Sequence, residues 1–297
     1  LKKCGQGFLV LPDPRDPCVQ EAYGRKACPA FHVYGRLPIW SDDYLIGRIA
    51  QLRDMGMTNV YFKMAGFDPE DLEHVLRLAS KAQVDMVTFD GAGGGSGYSP
   101  CKMMNEWCLP TVVMESILYG ILDKLAAEGM ELPDVAITGG FATEDQVYKA
   151  LALGAPYVKA VCMSRSFMIP AFLGCNIEGA LHPERRERVH GAWSALPKTV
   201  LDIGDTPETI FAGYHALKER LGADEMAHIP YGAIAMWTMC DRLGAGLQHH
   251  MAGARKFGIG HIDRTDICAA NRETAQETGI PFITEQDDEL ARRIVLG

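Results

Sequence analysis

Residues Val84–Pro100 read VDMVTFDGAGGGSGYSP, and this stretch decides the fold. A short apolar-rich run ends at Asp90. It passes straight into a loop with five glycines among the seven residues Gly91–Gly97. An apolar run that stops abruptly in glycine has the pattern of a buried parallel strand followed by a functional loop. Glycine lets the backbone turn with positive φ, and lets a flat or anionic ligand approach the main chain. The pattern recurs at Val135–Gly140, VAITGG, and more loosely at Tyr157–Arg165, YVKAVCMSR. Three such units joined by helices point to ligand chemistry at one end of a parallel β/α sheet or barrel.

The flanking sequence supplies the helices. Ser41 is an N-cap with Asp42 and Asp43 behind it, and Gly56 ends that helix. Asn59–Met64 follows as a strand carrying Lys63. Asp68 caps a helix to Ala82 with Pro69 at its first position, and Leu72, Val75, Leu76 and Ala79 form its buried stripe. Beyond the glycine loop, Thr111–Gly129 is a helix, Asp134–Thr138 a strand, Thr143–Leu153 a helix and Tyr157–Val161 a strand. This alternation is the βαβ signature, with right-handed crossovers. After Cys175 the strand signal is lost, and Pro183–Trp193, Pro207–Leu221, Ala233–His250 and Thr265–Thr278 read as helices. Before Pro38 the chain is irregular, with a short strand at Phe8–Leu11 and prolines 12, 14, 17 and 29 punctuating a loop.

The expected class is therefore α/β, of (β/α)8 TIM-barrel type. Four strands and a short fifth do not close an eight-stranded barrel, so this chain is read as its C-terminal part followed by helices. The expected division is an irregular segment 1–38, a barrel portion 39–180 carrying the site, and a helical region 181–297. The chain begins at Leu1, not Met, which suggests that upstream barrel strands have been removed.

Composition narrows the function. The 297 residues are 47% hydrophobic, enough for a sizeable core, with a formal net charge of −9. No basic stripe is present, which argues against nucleic acid as a partner. No apolar run reaches the length of a membrane span. Nine cysteines form no CxxC pair, and their number is odd, so a disulfide framework is not expected. Free thiols fit a reducing cytoplasm. Cys18 and Cys28 read as packing thiols, with a metal role as the alternative.

Two features carry chemistry. Gly139-Gly140 follows a strand and precedes a helix start, so its backbone amides would suit a phosphate. Ser164 and Arg165 add a hydroxyl and a guanidinium after the next strand, where barrels commonly bind phosphate. Plain tight turns with a surface arginine are the alternative. Lys63, in an otherwise apolar strand, is costly to bury without an anion. It reads either as a cation beside a ligand that gains negative charge, such as a reduced flavin, or as a lysine snorkelling from a strand end.

Taken in order, Phe62-Lys63, Asp90–Pro100, Ala136–Gly140, Lys149–Ala155 and Phe172–Cys175 resemble the FMN-binding barrel domain of glutamate synthases. Leu247–Lys256 and Ile262–Asp266 resemble the C-terminal part of stand-alone FMN-binding glutamate-synthase-like proteins. The resemblance runs from about Pro38 to Pro281. It implies an FMN-dependent oxidoreductase that reduces 2-oxoglutarate or 2-iminoglutarate to glutamate. By this resemblance Lys63 lies by the flavin ring, and Gly94, Gly95 and Ser96 border flavin and substrate. Asp90 joins the cofactor-binding residues, and Gly139, Gly140, Ser164 and Arg165 hold the FMN phosphate. The implied partners are a 2-oxo or amino acid, an electron-donor protein or subunit, and further copies of the chain.

Two departures from the family pattern stand out. Family members carry a 3Fe–4S cluster on three cysteines. Cys175 matches the first, but Leu181 and Arg186 occupy the other two positions, and neither side chain ligates iron. The cluster is therefore expected to be absent, and no metal ligand is assigned. No amidotransferase nucleophile is seen, so glutamine hydrolysis is not expected. Alternatives are an N-methylglutamate synthase-type FMN subunit, a non-catalytic FMN-binding subunit of a larger complex, and another phosphate-binding barrel of IMP-dehydrogenase or isomerase type. Cys101 keeps the last of these open.

Overall fold

The computed structural model describes all residues except 29, 35–40, 67, 93–105, 107, 188, 190 and 297. Leaving aside turns of three or four residues, the elements are β1 (Leu9–Leu11), α1 (Pro17–Gly24), β2 (His32–Tyr34), α2 (Asp42–Asp54), β3 (Tyr61–Ala65), α3 (Pro69–Lys81), β4 (Met86–Asp90), α4 (Thr111–Ala127), β5 (Asp134–Thr138), α5 (Glu144–Leu153), β6 (Val158–Cys162), α6 (Arg165–Leu181), α7 (Tyr214–Leu221), α8 (Tyr231–Gly253), α9 (Arg272–Thr278) and α10 (Asp288–Leu296). The chain forms two compact units. One comprises Leu1–Gly140, Leu153–Ala160 and Cys268–Gly297; the other comprises Phe141–Ala152 and Val161–Ile267.

The first unit is a mixed α/β body built on a sheet of strand order β3-β4-β5-β6. β4 pairs in parallel with β3 and β5, placing Lys63 opposite Thr88 and Asp90 opposite both Ala65 and Thr138. Side chains alternate across a strand. Val87, Phe89, Val135 and Ile137 on one face are wholly buried with Leu72 and Leu76 of α3 and Met114, Leu118 and Leu122 of α4. Each such residue contributes about 1.5–3 kcal/mol. Lys63, Thr88, Asp90, Ala136 and Thr138 share the opposite face. The predicted caps form: Ser41 Oγ accepts from Tyr44 N at 3.2 Å, and Asp68 Oδ1 from Asp71 N at 2.9 Å.

Two N-terminal elements differ from expectation. The proline-punctuated loop contains α1, because Pro17 sits at the first helical position and Asp16 caps it, accepting from Cys18 N at 2.8 Å. Proline there opens a helix rather than breaking it. β2 is a three-residue strand antiparallel to β1, too short to show periodicity in sequence.

The second unit is helical and is organised by α6 against α8. Ile177 of α6 and Tyr231 and Ile234 of α8 are buried together with Phe211, Tyr214 and Leu217. The helix expected over Pro183–Trp193 is present among the described residues only as the 3₁₀ turn Pro183–Arg185. That charged run has no apolar stripe to bury, and Gly191 packs its backbone against Gly179 instead. The helix expected over Pro207–Leu221 is interrupted at Phe211–Gly213, where Phe211 turns extended to enter the core. The segment expected as Thr265–Thr278 divides into Arg264–Asp266 and α9, because Asn271 starts a new helix by accepting from Thr274 N at 2.7 Å. Among the described residues no helix is long and apolar enough to cross a membrane.

Tyr231 gives this unit an alkaline limit. Burial, helped by the Glu178 charge, pushes its phenol up to about 12. The neutral form is thus favoured in the folded chain, and the stabilisation is complete below the unfolded tyrosine value near 10. It is lost as pH rises from about 10 to 12, on the order of 2–3 kcal/mol. Denaturant unfolding followed against pH should show that loss. A Tyr231→Phe variant should lack the slope, and a slope retained there would assign it to another group.

Candidate functional site

The carboxyl edge of the first unit's sheet brings glycine backbone and two charges together. Lys63 Nζ lies 2.5 Å from Asp90 Oδ2, with the lysine side chain 50% exposed and the aspartate 3%. Their same-face placement follows from the β3–β4 register, two residues apart along the strands. A carboxylate this buried needs a partner. The snorkelling alternative for Lys63 is therefore incomplete: its stem runs outward, but its charge is committed to an anion. Cys108 stands close by, its thiol pushed up by burial and by the Asp90 charge.

The loop starts are tied into one ledge. Gly66 N donates to Asp90 O at 3.0 Å, Gly91 N to Thr138 O at 2.9 Å, and Leu109 N to Gly66 O at 2.9 Å. Thr111, the first residue of α4, donates its hydroxyl to Gly139 O at 2.8 Å. A Cβ on Gly91 or Gly139 would overlap that same hydroxyl, and one on Gly66 would overlap Met114. Close approach of backbone to side chain thus requires glycine at all three positions. Gly140 differs: its φ is +90°, and nothing lies within 4 Å of where a Cβ would stand. Glycine is needed there for conformation, and its main chain is open to a ligand.

The N-terminus of α5, beyond the Gly-Gly turn, is already dressed with acceptors. Gln146 Oε1 accepts from Ala142 N at 2.8 Å and Thr143 N at 3.2 Å. Thr143 spends its hydroxyl on Asp145 at 2.6 Å. Lys149, and then Thr143, hold the Asp145 carboxyl down at about 2. The amides of Ala142 and Thr143 are therefore already taken, while the Gly139-Gly140 amides are those the sequence offered to a phosphate.

Within the second unit, Ser166 Oγ donates to Phe141 O at 3.1 Å. Phe141 directly follows Gly139-Gly140 in sequence, and Ser166 directly follows Ser164-Arg165. Ser164 precedes the first turn of α6 without using its hydroxyl as a cap, and Arg165 is the exposed first residue of that helix. Gly94, Gly95, Ser96 and Cys101 lie outside the described residues.

Cys175 lies inside the α6–α8 seam. Its Sγ would stand 3.0 Å from a Cβ on Gly232, and burial, then the Glu178 charge, pushes its thiol up. Leu181 packs against the core, and Arg186 Nε donates to Gly179 O at 3.3 Å. Packed helix and backbone thus surround the one matching cysteine. Among the described residues no group of three or more His, Cys, Asp or Glu is placed to hold a metal ion.

A cavity of about 600 Å³ opens at the opposite, amino edge of the sheet, between Arg53, Tyr61, Ser80, Asp85 and Glu131. Its one arginine is already committed to Asp85 at 2.6 Å and to Gln83 O at 2.9 Å. Among the described residues no uncommitted cation is left there for an anionic ligand, and the carboxyl edge is the better candidate.

Sequence reasoning missed Thr111, Cys108, Ser166 and Gln146. Only Gln146 had a local signal, its spacing three residues after Thr143 being that of a capping box. A family model described as the conserved region in glutamate synthase matches residues 32–184. No curated protein matches the chain.

Proposed function

Because the chain belongs to the glutamate synthase family, we propose that it is an FMN-dependent oxidoreductase forming glutamate from 2-oxoglutarate or 2-iminoglutarate. The observation that carries this is the carboxyl-edge ledge, where a paired lysine stands beside glycine backbone at the strand ends. In this reading the sheet is part of a (β/α)8 barrel, with segments 1–38, 39–180 and 181–297 as its entry, barrel portion and helical annex. The protein works in the cytoplasm, as an oligomer, with a 2-oxo or amino acid substrate and an electron-donor partner.

The residues present suit FMN. Gly140 offers open main chain at φ +90°. In this reading the Gly139-Gly140 backbone, Ser164 and Arg165 would hold the phosphate, the amides of Ala142 and Thr143 being taken by Gln146. Lys63 and Asp90 would meet the ring, and Gly94, Gly95 and Ser96 would border ring and substrate. Bound FMN would supply the electron transfer. The chain supplies binding, orientation and charge.

A flavin titration of the purified chain tests this. The preparation should take up FMN, and Arg165→Ala should weaken binding by about 1.5–3 kcal/mol, the range for a charge-assisted hydrogen bond. Unchanged affinity would remove Arg165 from the site. Turnover of 2-oxoglutarate and ammonia with a reduced donor then separates the enzyme from a non-catalytic FMN-binding subunit. It also separates it from an N-methylglutamate synthase-type subunit, which would prefer methylamine.

The cluster of the family does not fit the α6–α8 seam, so no electron step is routed through it. Anaerobically purified protein should carry no iron bound at Cys175. Stoichiometric iron and sulfide that disappear in Cys175→Ser would overturn this.

A further inference from the structure

The two members of the Lys63–Asp90 pair are unequal. Asp90 is 3% exposed and Lys63 50%. The aspartate is fixed at its backbone, because its carbonyl accepts from Gly66 N at 3.0 Å and the next amide, Gly91, donates to Thr138 O at 2.9 Å. Lys63 reaches it from the neighbouring strand on a flexible four-carbon stem. The buried anion cannot leave, so the movable member is the cation, and the negative charge stays in place beside it.

On the FMN reading above, we infer that Asp90 restrains the flavin's electron affinity by offsetting the charge of Lys63. A lysine alone beside the ring would favour the reduced, more negative cofactor. A carboxylate 2.5 Å from that ammonium opposes its field at every longer distance. Only the difference between stabilising the reduced and the oxidised form moves the redox balance. Lys63 and Asp90 should therefore have opposite effects on it. Among the described residues, Cys108 is a further titratable group near Asp90. Burial and the Asp90 charge keep its thiol protonated, so it adds no charge of its own.

The test compares affinities for oxidised and reduced FMN in the whole chain, in wild type, Asp90→Asn, Lys63→Met and the double variant. Asp90→Asn should raise the preference for reduced FMN by about tenfold, which is about 30 mV for a two-electron couple. Lys63→Met should lower it by about as much, and the double variant should return to within about twofold of wild type. Asp90→Asn leaves no buried charge unpaired, since the half-exposed Lys63 ammonium is solvated where it stands, so the fold should persist, and a melting curve checks this. Should that variant not fold, comparison of the double variant with Lys63→Met decides alone. An unchanged or lowered preference in Asp90→Asn, or a double variant matching Lys63→Met, overturns the inference while leaving the FMN reading intact. A wild-type chain that takes up no flavin rejects the FMN reading, and the inference with it.

Discussion

Gly139→Ala will destabilise the first unit by about 3–4 kcal/mol and remove its ability to present the Gly-Gly turn. Two costs add. Gly139 has φ +131°, a region that side chains rarely occupy, and such strain costs about 1–3 kcal/mol. Its Cβ would also overlap the Thr111 hydroxyl and stand 3.0 Å from both N and O of Gly91. Those are backbone atoms of an adjoining loop, held by the bond from Gly91 N to Thr138 O at 2.9 Å. They cannot turn aside as a flexible side chain would, and overpacking adds about 1–3 kcal/mol. Gly140→Ala is the internal control. It meets strain at φ +90° but open space, so it should lose only about 1–2 kcal/mol. Urea denaturation of both variants measures the difference. Equal losses would show that the ledge around Thr111 yields, and that strain alone governs the turn.

This contrast marks what was legible in the sequence. Local chemistry could be read directly. Ser41 and Asp68 cap their helices because a side-chain oxygen two or three residues from an unsatisfied amide needs no tertiary information. The strands at Val84 and Val135 were visible for a similar reason, since an apolar run ending in glycine is short-range. Pro17 was misread because proline signals both loop and helix start, and only the Asp16 cap separates the two. The need of Lys63 for an anion was clear, but its identity was not. Asp90 is 27 positions away in sequence, and only the β3–β4 register makes the two neighbours. The α6–α8 seam was invisible, because two glycines on distant helices carry no mark of facing each other. The charged run after Pro183 looked helical by composition, yet nothing local shows that Gly191 meets Gly179.

The seam also hides a carboxylate whose loss should rank with that of Gly139. Helix α8 begins after Pro230, which has no side-chain acceptor for the first amides. Glu178 of α6 fills the role from across the seam, its Oε2 accepting from Tyr231 N at 2.8 Å while Arg185 approaches Oε1 at 3.5 Å. At 4% exposure the carboxylate is not compensated by water. Glu178→Ala loses a charged hydrogen bond worth about 1.5–3 kcal/mol and leaves a void beside a buried amide, so about 3–4 kcal/mol is expected. Glu178→Gln keeps the shape and an acceptor oxygen, and should lose only about 1 kcal/mol. A second readout separates charge from packing. Tyr231 is held up at about 12 by burial first and by the Glu178 charge next. Removing that charge in Glu178→Gln should bring the phenol's titration downward, visible in the ultraviolet absorbance of tyrosinate as alkali is added, while the fold stays intact. An alanine variant no less stable than the glutamine one would show that Glu178 neither caps α8 nor fills needed space in the seam, and an unmoved titration would show that its charge does not reach the phenol.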